Sequence, residues 1–270
     1  MSPSPDLEPA ISAFQSGDLD RARLLAERAA SSAEADHLLG LIHCRLGDLD
    51  AGVDHLRRAV EAAPANPAYR VMLARSLVDA GLAAEVLAMP EPAREGTAAA
   101  LALWHVRAEA AAAAGRPDLA LDAWKLVTAA RPDDWRAWSN LGDACAAAER
   151  WDECVAALSR AAALNPGEAP IRRNLASALG NSGRNDAAIT ELAVAVRLEA
   201  GHVETRLMLA RLLMDLGRDE EALDQLNEAL KITPDSVEAA KQRGRQLITL
   251  TRFDEAERDY WAALAIAPDD

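Results

Sequence analysis

The chain has 270 residues, half of them hydrophobic but only 4% aromatic, and 43 acids against 29 bases give a formal charge of −14. So acidic a surface lacks the basic footprint that phosphate neutralisation demands, and nucleic acid and anionic membranes are not expected partners. MSPSPDLEPAISAF has neither the basic region nor the apolar core of a signal peptide, and no apolar run approaches the length of a membrane span. The three cysteines form no paired framework, and the expected compartment is the cytoplasm.

In chain order, residues 1–32 read as a Ser/Pro tail followed by a shortened helix pair, Asp6–Gln15 and Leu19–Ala30, with Gly17 in its turn. From Ala33 a 34-residue period holds, with units at 33–66, 67–100, 101–134, 135–168, 169–202, 203–236 and 237–270. The sequence therefore predicts about eight helix pairs. Gly47, Gly81, Gly115, Gly183 and Gly217 mark the turn inside a unit, because a helix C-terminus there needs positive φ. Glu149 and Thr251 replace this glycine in two units, whose turns are expected to close differently. Three residues later an acid recurs (Asp50, Asp118, Asp152, Asp186, Glu220, Asp254), expected to cap the second helix and oppose its dipole. Pro64, Pro132, Pro166, Pro234 and Pro268 are placed to end the second helices. In the unit at 67–100, Pro90 and Pro92 cut the second helix short, and Met89–Gly96 reads as a loop where the stack opens first.

The clearest unit is Trp135–Pro166, with Trp138, Leu141 and Gly142 at positions 4, 7 and 8, Cys154 at 20, Ala161 at 27 and Pro166 at 32. This pattern resembles the tetratricopeptide repeat (TPR) and extends over nearly the whole chain. The resemblance implies an all-α, right-handed superhelical solenoid of helix-turn-helix repeats whose work is to bind a protein or peptide partner.

Catalytic patterns are missing from the sequence: there is no glycine-rich phosphate loop, no HExxH and no GxSxG. Neither a catalytic residue nor a cofactor or metal is expected. His37 and His105 share position 5 but lie two repeats apart, too far to share a metal ion, and Cys145 and Cys154 face the core as small hydrophobes. Trp104 and Trp138 at position 4 and Trp124 at position 24 are packing residues rather than a base-stacking set.

On a helical wheel, positions 4, 7, 8 and 11 of a unit face its second helix, while 2, 5, 9, 12 and 13, with 6 at the margin, face away. In TPR proteins that outer side lines the concave groove. The N-terminal half offers His37, Leu41, Cys44, Val71, Arg75 and His105, with Leu38, Met72 and Val106 at the margin. In the C-terminal half the expected peptide-binding residues are Arg136, Asn140, Arg173, Asn174, Asn181, Arg211, Lys241 and Arg245, with Leu207 and Met214 also on the lining and Met208 and Gln242 at the margin. Asn140 and Asn174, one repeat apart at position 6, resemble the asparagine ladder with which some TPR superhelices grip a peptide backbone. The carboxylate clamp of chaperone-binding TPR proteins does not fit, because Ser139 and Asp143 precede Asn174 and Glu204 and Met208 follow it. Against Asp143, Glu204, Asp215 and Glu238 this wall is locally near charge balance, which favours segments of some acidic character.

The expected function is a protein-interaction scaffold that is not an enzyme. The alternative is the substrate-recruiting part of a larger bacterial sulfotransferase, methyltransferase or glycosyltransferase. At the far end, Tyr260, Trp261, Leu264 and Ile266 are expected to form an apolar association patch for a downstream domain or a second copy.

Overall fold

Alanine and leucine, both strong helix formers, recur at one-turn spacing on each segment, and the described residues fold as helices joined by turns and short loops. The computed structural model describes residues 5–94 and 97–267, and among them there is no strand. Two compact units are formed, residues 1–132 and 133–270. In the first, after a 3-10 turn at Pro5–Leu7, α1 (Glu8–Gln15) packs on α2 (Leu19–Arg28) and α3 (Ala33–Leu46) on α4 (Leu49–Ala62). The unit continues with α5 (Pro67–Asp79) on the short α6 (Ala83–Ala88) and α7 (Ala98–Ala113) on α8 (Pro117–Ala130). In the second, α9 (Trp135–Ala147) packs on α10 (Trp151–Leu164) and α11 (Ala169–Asn181) on α12 (Asn185–Leu198). There α13 (Val203–Asp215) packs on α14 (Asp219–Ile232) and α15 (Val237–Thr249) on α16 (Phe253–Ile266). Within a unit, the second helix of each pair also meets the first helix of the next. No helix among the described residues is long and apolar enough to cross a membrane.

Small side chains set how closely the pairs approach. Ala120, Cys154, Ala188, Ala222 and Ala256, all at position 20, are buried. Gly40 and Gly142 at position 8 lie against Leu56 and Leu158.

The turns correct one expectation. Glu149 and Thr251 adopt φ of 56° and 59°, the same left-handed conformation as the glycines they replace. The hydrogen bonds match as well: Arg150 N donates to Cys145 O at 2.9 Å and Arg184 N to Leu179 O at 2.8 Å. Packing of the pair dictates the turn, and the side chain at that position tolerates the strain.

The recurring acids do not cap either. They occupy the second residue of each second helix, where they oppose the positive dipole end without a capping hydrogen bond. In α4 the capping group is Asp48, which accepts from Ala51 N at 3.2 Å. Asp152 instead accepts from Arg184 of the following pair at 2.6 Å.

The second helices end two residues before Pro64, Pro132, Pro166 and Pro234, with a single non-helical residue between. Pro268 and the first four residues of the expected Ser/Pro tail lie outside the described residues.

The irregular pair is tied down more firmly than its sequence suggests. α6 stops at Ala88, and four carbonyls beyond or near its end find side-chain donors. Arg107 Nη1 donates to Val86 O and Met89 O, both at 3.2 Å. Arg70 Nη2 reaches Pro90 O at 3.1 Å, and Trp104 Nε1 reaches Ala93 O at 3.1 Å. Residues 95 and 96 of the expected loop lie outside the described residues. The next helix begins at Ala98, three residues before Leu101, because Thr97 accepts from Ala100 N at 3.1 Å and caps it.

Candidate partner-binding site

The first helices α9, α11, α13 and α15 carry the residues expected to meet a partner. Arg136 is exposed and lies over the Trp135 ring, 4.4 Å from its centroid. Asn140 is half-buried. Asn174 donates to Asp143 at 3.1 Å, joining α11 to α9, and the Asp143 carboxyl is pushed above its ordinary range by desolvation, which the Asn174 hydrogen bond opposes. Asn181 is exposed and donates to Ser177 O at 2.9 Å within its own helix. Lys241 is half-buried.

Position 5 faces a seam rather than a groove. Arg173 keeps only 17% of its side chain exposed and donates to Glu199 Oε2 at 2.5 Å and to Thr205 Oγ1 of α13 at 3.4 Å. His37 stacks on Tyr69 of α5 with centroids 4.6 Å apart, and burial pushes its pKa down. His105 meets the Trp124 edge at 4.8 Å, and Leu207 is buried. At the margin, Leu38, Val106 and Gln242 are buried too. The wheel places these residues opposite the second helix of their own pair. Yet Tyr69 of α5 and Thr205 of α13 reach His37 and Arg173 from the next first helix, and Trp124 of α8 and Glu199 at the end of α12 reach His105 and Arg173 from their own pair.

The wall that stays open is narrower. Arg211, Met214 and Asp215 of α13, Asp219 at the start of α14, and Glu238, Gln242, Arg245, Gln246 and Thr249 of α15 line a cleft of about 430 Å³. Gln246 donates to Asp219 Oδ1 at 2.8 Å and Gln242 to Glu238 Oε1 at 2.5 Å. Sequence reasoning put Arg211, Met214 and Arg245 here and Gln242 at the margin, but missed Gln246, which meets Asp219 only because α15 packs on α14. In the first unit the equivalent wall is closed by an ion pair: Arg75 of α5 binds Glu109 of α7, which His105 also engages. The His105 hydrogen bond, with Arg75 beside it, holds the Glu109 carboxyl below its ordinary range against desolvation.

The expected C-terminal patch is assembled in part. Trp261, Leu264 and Ile266 are exposed, Trp261 at 65%, and Phe253 at 60% and Ile248 are further exposed hydrophobics on α16 and α15. Tyr260 does not join it, because its ring packs over Gly244 against Leu223, Leu247 and Ala256. Phe253 escaped the sequence reading because the residue before the recurring acid carries no repeat signature.

Cys154 donates to Gly142 O at 3.2 Å, and burial beside Cys145 and Asp143 pushes its thiol up to about 12, which leaves it protonated and unreactive. Among the described residues no group of three His, Cys, Asp or Glu side chains is placed to hold a metal ion.

Sequence profiles connect these pairs to known proteins. A tetratricopeptide repeat profile matches residues 7–67, 37–88 and 105–169, more than half of the chain, and a second matches 181–244. The chain belongs to the tetratricopeptide repeat family. No curated protein matches it in sequence. Among solved structures it is similar to MamA, at 21% identity and a TM-score of 0.56 over 59% of this chain and 93% of that one. It is similar to YrrB, described as a TPR protein with an unusual peptide-binding site, at 18% identity and 0.54 over 62% and 86%. The C-terminal part of a TPR protein from Cytophaga hutchinsonii aligns over 98% of this chain and 96% of its own, with 9% identity and a TM-score of 0.63.

As TPR units, those beginning at Ala169 and Val203 carry arginine at position 4, where Trp104 and Trp138 stand in the units before them. Arg172 pairs with Glu191 at 2.7 Å, and Arg206 donates to Gln225 at 3.3 Å. A polar bridge there takes the place of aromatic packing.

Proposed function

We infer that the TPR repeats make this chain a protein-interaction scaffold. We propose that it holds an extended peptide segment against the wall formed by α9, α11, α13 and α15. The observation that carries this reading is the cleft of about 430 Å³ between α13 and α15, with both arginines exposed at its rim. Arg136, Asn140 and Asn181 continue the polar surface on α9 and α11, where amides serve a peptide backbone as donor and acceptor at once. Arg173 and Asn174 contribute by holding α11 to its neighbours, which keeps the wall in register. The peptide-binding site described for YrrB supports the same use of this fold. Affinity capture with the full chain, followed by mass spectrometry, tests the reading. Partners retained by the wild type should be lost from a variant carrying Arg136→Glu, Asn181→Glu and Arg211→Glu. Identical capture by both proteins would refute it.

The exposed face of α15 and α16 supports a second contact, which we infer is with another copy of the chain. Phe253, Trp261, Leu264 and Ile266 match a like apolar face. On the first helix pair only Leu24 is a large exposed hydrophobe among the described residues, so a head-to-tail stack would set apolar against polar. Light scattering should show concentration-dependent dimers that Trp261→Glu abolishes. A strictly monomeric wild type would refute this contact.

A further inference from the structure

Position 9 of the repeat is occupied by Arg75 and Glu109 in successive repeats of the first unit and by Arg211 and Arg245 in successive repeats of the second. In the first unit the two side chains bind each other across α5 and α7. In the second, two like charges face one cleft, and among the described residues neither guanidinium has a hydrogen-bond or ion-pair partner. The same cleft contains Gln242, only 5% exposed, whose Oε1 is buried without a hydrogen-bond partner while its Nε2 is held by Glu238. The unpaired buried acceptor is costly to leave unmatched, and two like charges facing one cleft favour an anion between them. A carboxylate with a neighbouring N–H supplies both missing partners.

We propose that the α13–α15 cleft is an acidic-residue subsite, in which one Asp or Glu side chain of an extended peptide bridges Arg211 and Arg245 as Glu109 engages Arg75. The inference rests on the groove reading above and adds to it the chemistry of one ligand position. The backbone N–H beside the acid takes the Gln242 oxygen, which reaches it by rotation of that flexible side chain. Three carboxylates also line the cleft, Asp215, Asp219 and Glu238, and Asp219 already accepts from Gln246. Glu238 lies about 10 Å from Arg245 along α15, and Asp215 about 6 Å from Arg211 along α13. The site therefore selects an isolated acid and rejects a run of them, because the flanking residues of an acidic run would meet Asp215 and Glu238.

The probe is a positional-scanning library of acetylated and amidated dodecapeptides retained on the full chain. Wild type should enrich one Asp or Glu within otherwise neutral or basic surroundings, and Glu→Gln at that position should weaken binding about tenfold or more. Arg245→Glu recreates the pairing of the first unit, so it should raise the melting temperature while erasing the acid preference. Both arginines are exposed, and the variant is expected to fold. Retained peptides without acid enrichment, or an enrichment that survives Arg245→Glu, would overturn the subsite and leave the groove standing. Retention of no peptide at all would overturn the groove reading and the subsite with it.

Discussion

Gly142 and Leu158 approach so closely that a methyl group on Gly142 would sit 2.5 Å from Leu158 Cγ. Leu158 is 1% exposed, inside the α9–α10 interface, and has no space to retreat. Ala gains about 1 kcal/mol of helix propensity over Gly, but overpacking of this kind costs about 1–3 kcal/mol. Gly142→Ala should therefore destabilise the chain, and Gly40→Ala should behave alike, since its methyl would lie 2.6 Å from Leu56 Cγ. Gly244→Ala should be milder, because the contact there is the Tyr260 ring at 3.0 Å, which is half-exposed and can tilt. Thermal unfolding of the three variants checks the order.

Arg107 holds the irregular pair in place through two carbonyls, with 13% of its side chain exposed. Arg107→Ala leaves Val86 O and Met89 O without that donor, at a cost of about 1–3 kcal/mol. Hydrogen exchange should rise over residues 83–94 in this variant and stay unchanged over 141–230. In the wild type the same segment should be better protected than a free loop.

Thr251 sits at φ 59°, a conformation costly for a β-branched residue. Thr251→Gly should stabilise the α15–α16 turn by about 0.5–1 kcal/mol, and Glu149→Gly should do the same for α9–α10. Melting temperatures read the gain directly. A loss in either variant would mean that the side chain makes a contact worth more than the strain.

Much of this architecture was legible because glycine, alanine and proline recur where two helices must turn, touch and stop. The identity of position 5 was not. A single helix read on a wheel separates the face toward its own partner from the face away, yet Arg173 binds Glu199 and Thr205, which only packing brings to it. Arg211 and Arg245 were visible as groove cations. Their lack of a counter-charge was not, since that depends on which residue the neighbouring helix presents.

Asp143 provides a pH signature. Desolvation raises its pKa, so from the ordinary carboxylate range up to that raised value the folded state binds more protons than the unfolded one. Stability from this group therefore falls as pH rises through the window and is level above it. Asp143→Asn should remove that dependence, and Asn174→Ala should move the titration further upward by deleting the opposing hydrogen bond. Carboxyl chemical shifts followed through a pH series check both.

Photo-cross-linking from single positions on the full chain tests the central claim most directly. A photoreactive residue at Asn140, Asn181 or Arg211, on the first helices, should label a bound partner segment. The same residue at Asp224, exposed on the second helix α14, should not. Labelling from Asp224 equal to or stronger than that from the three wall positions would contradict the account.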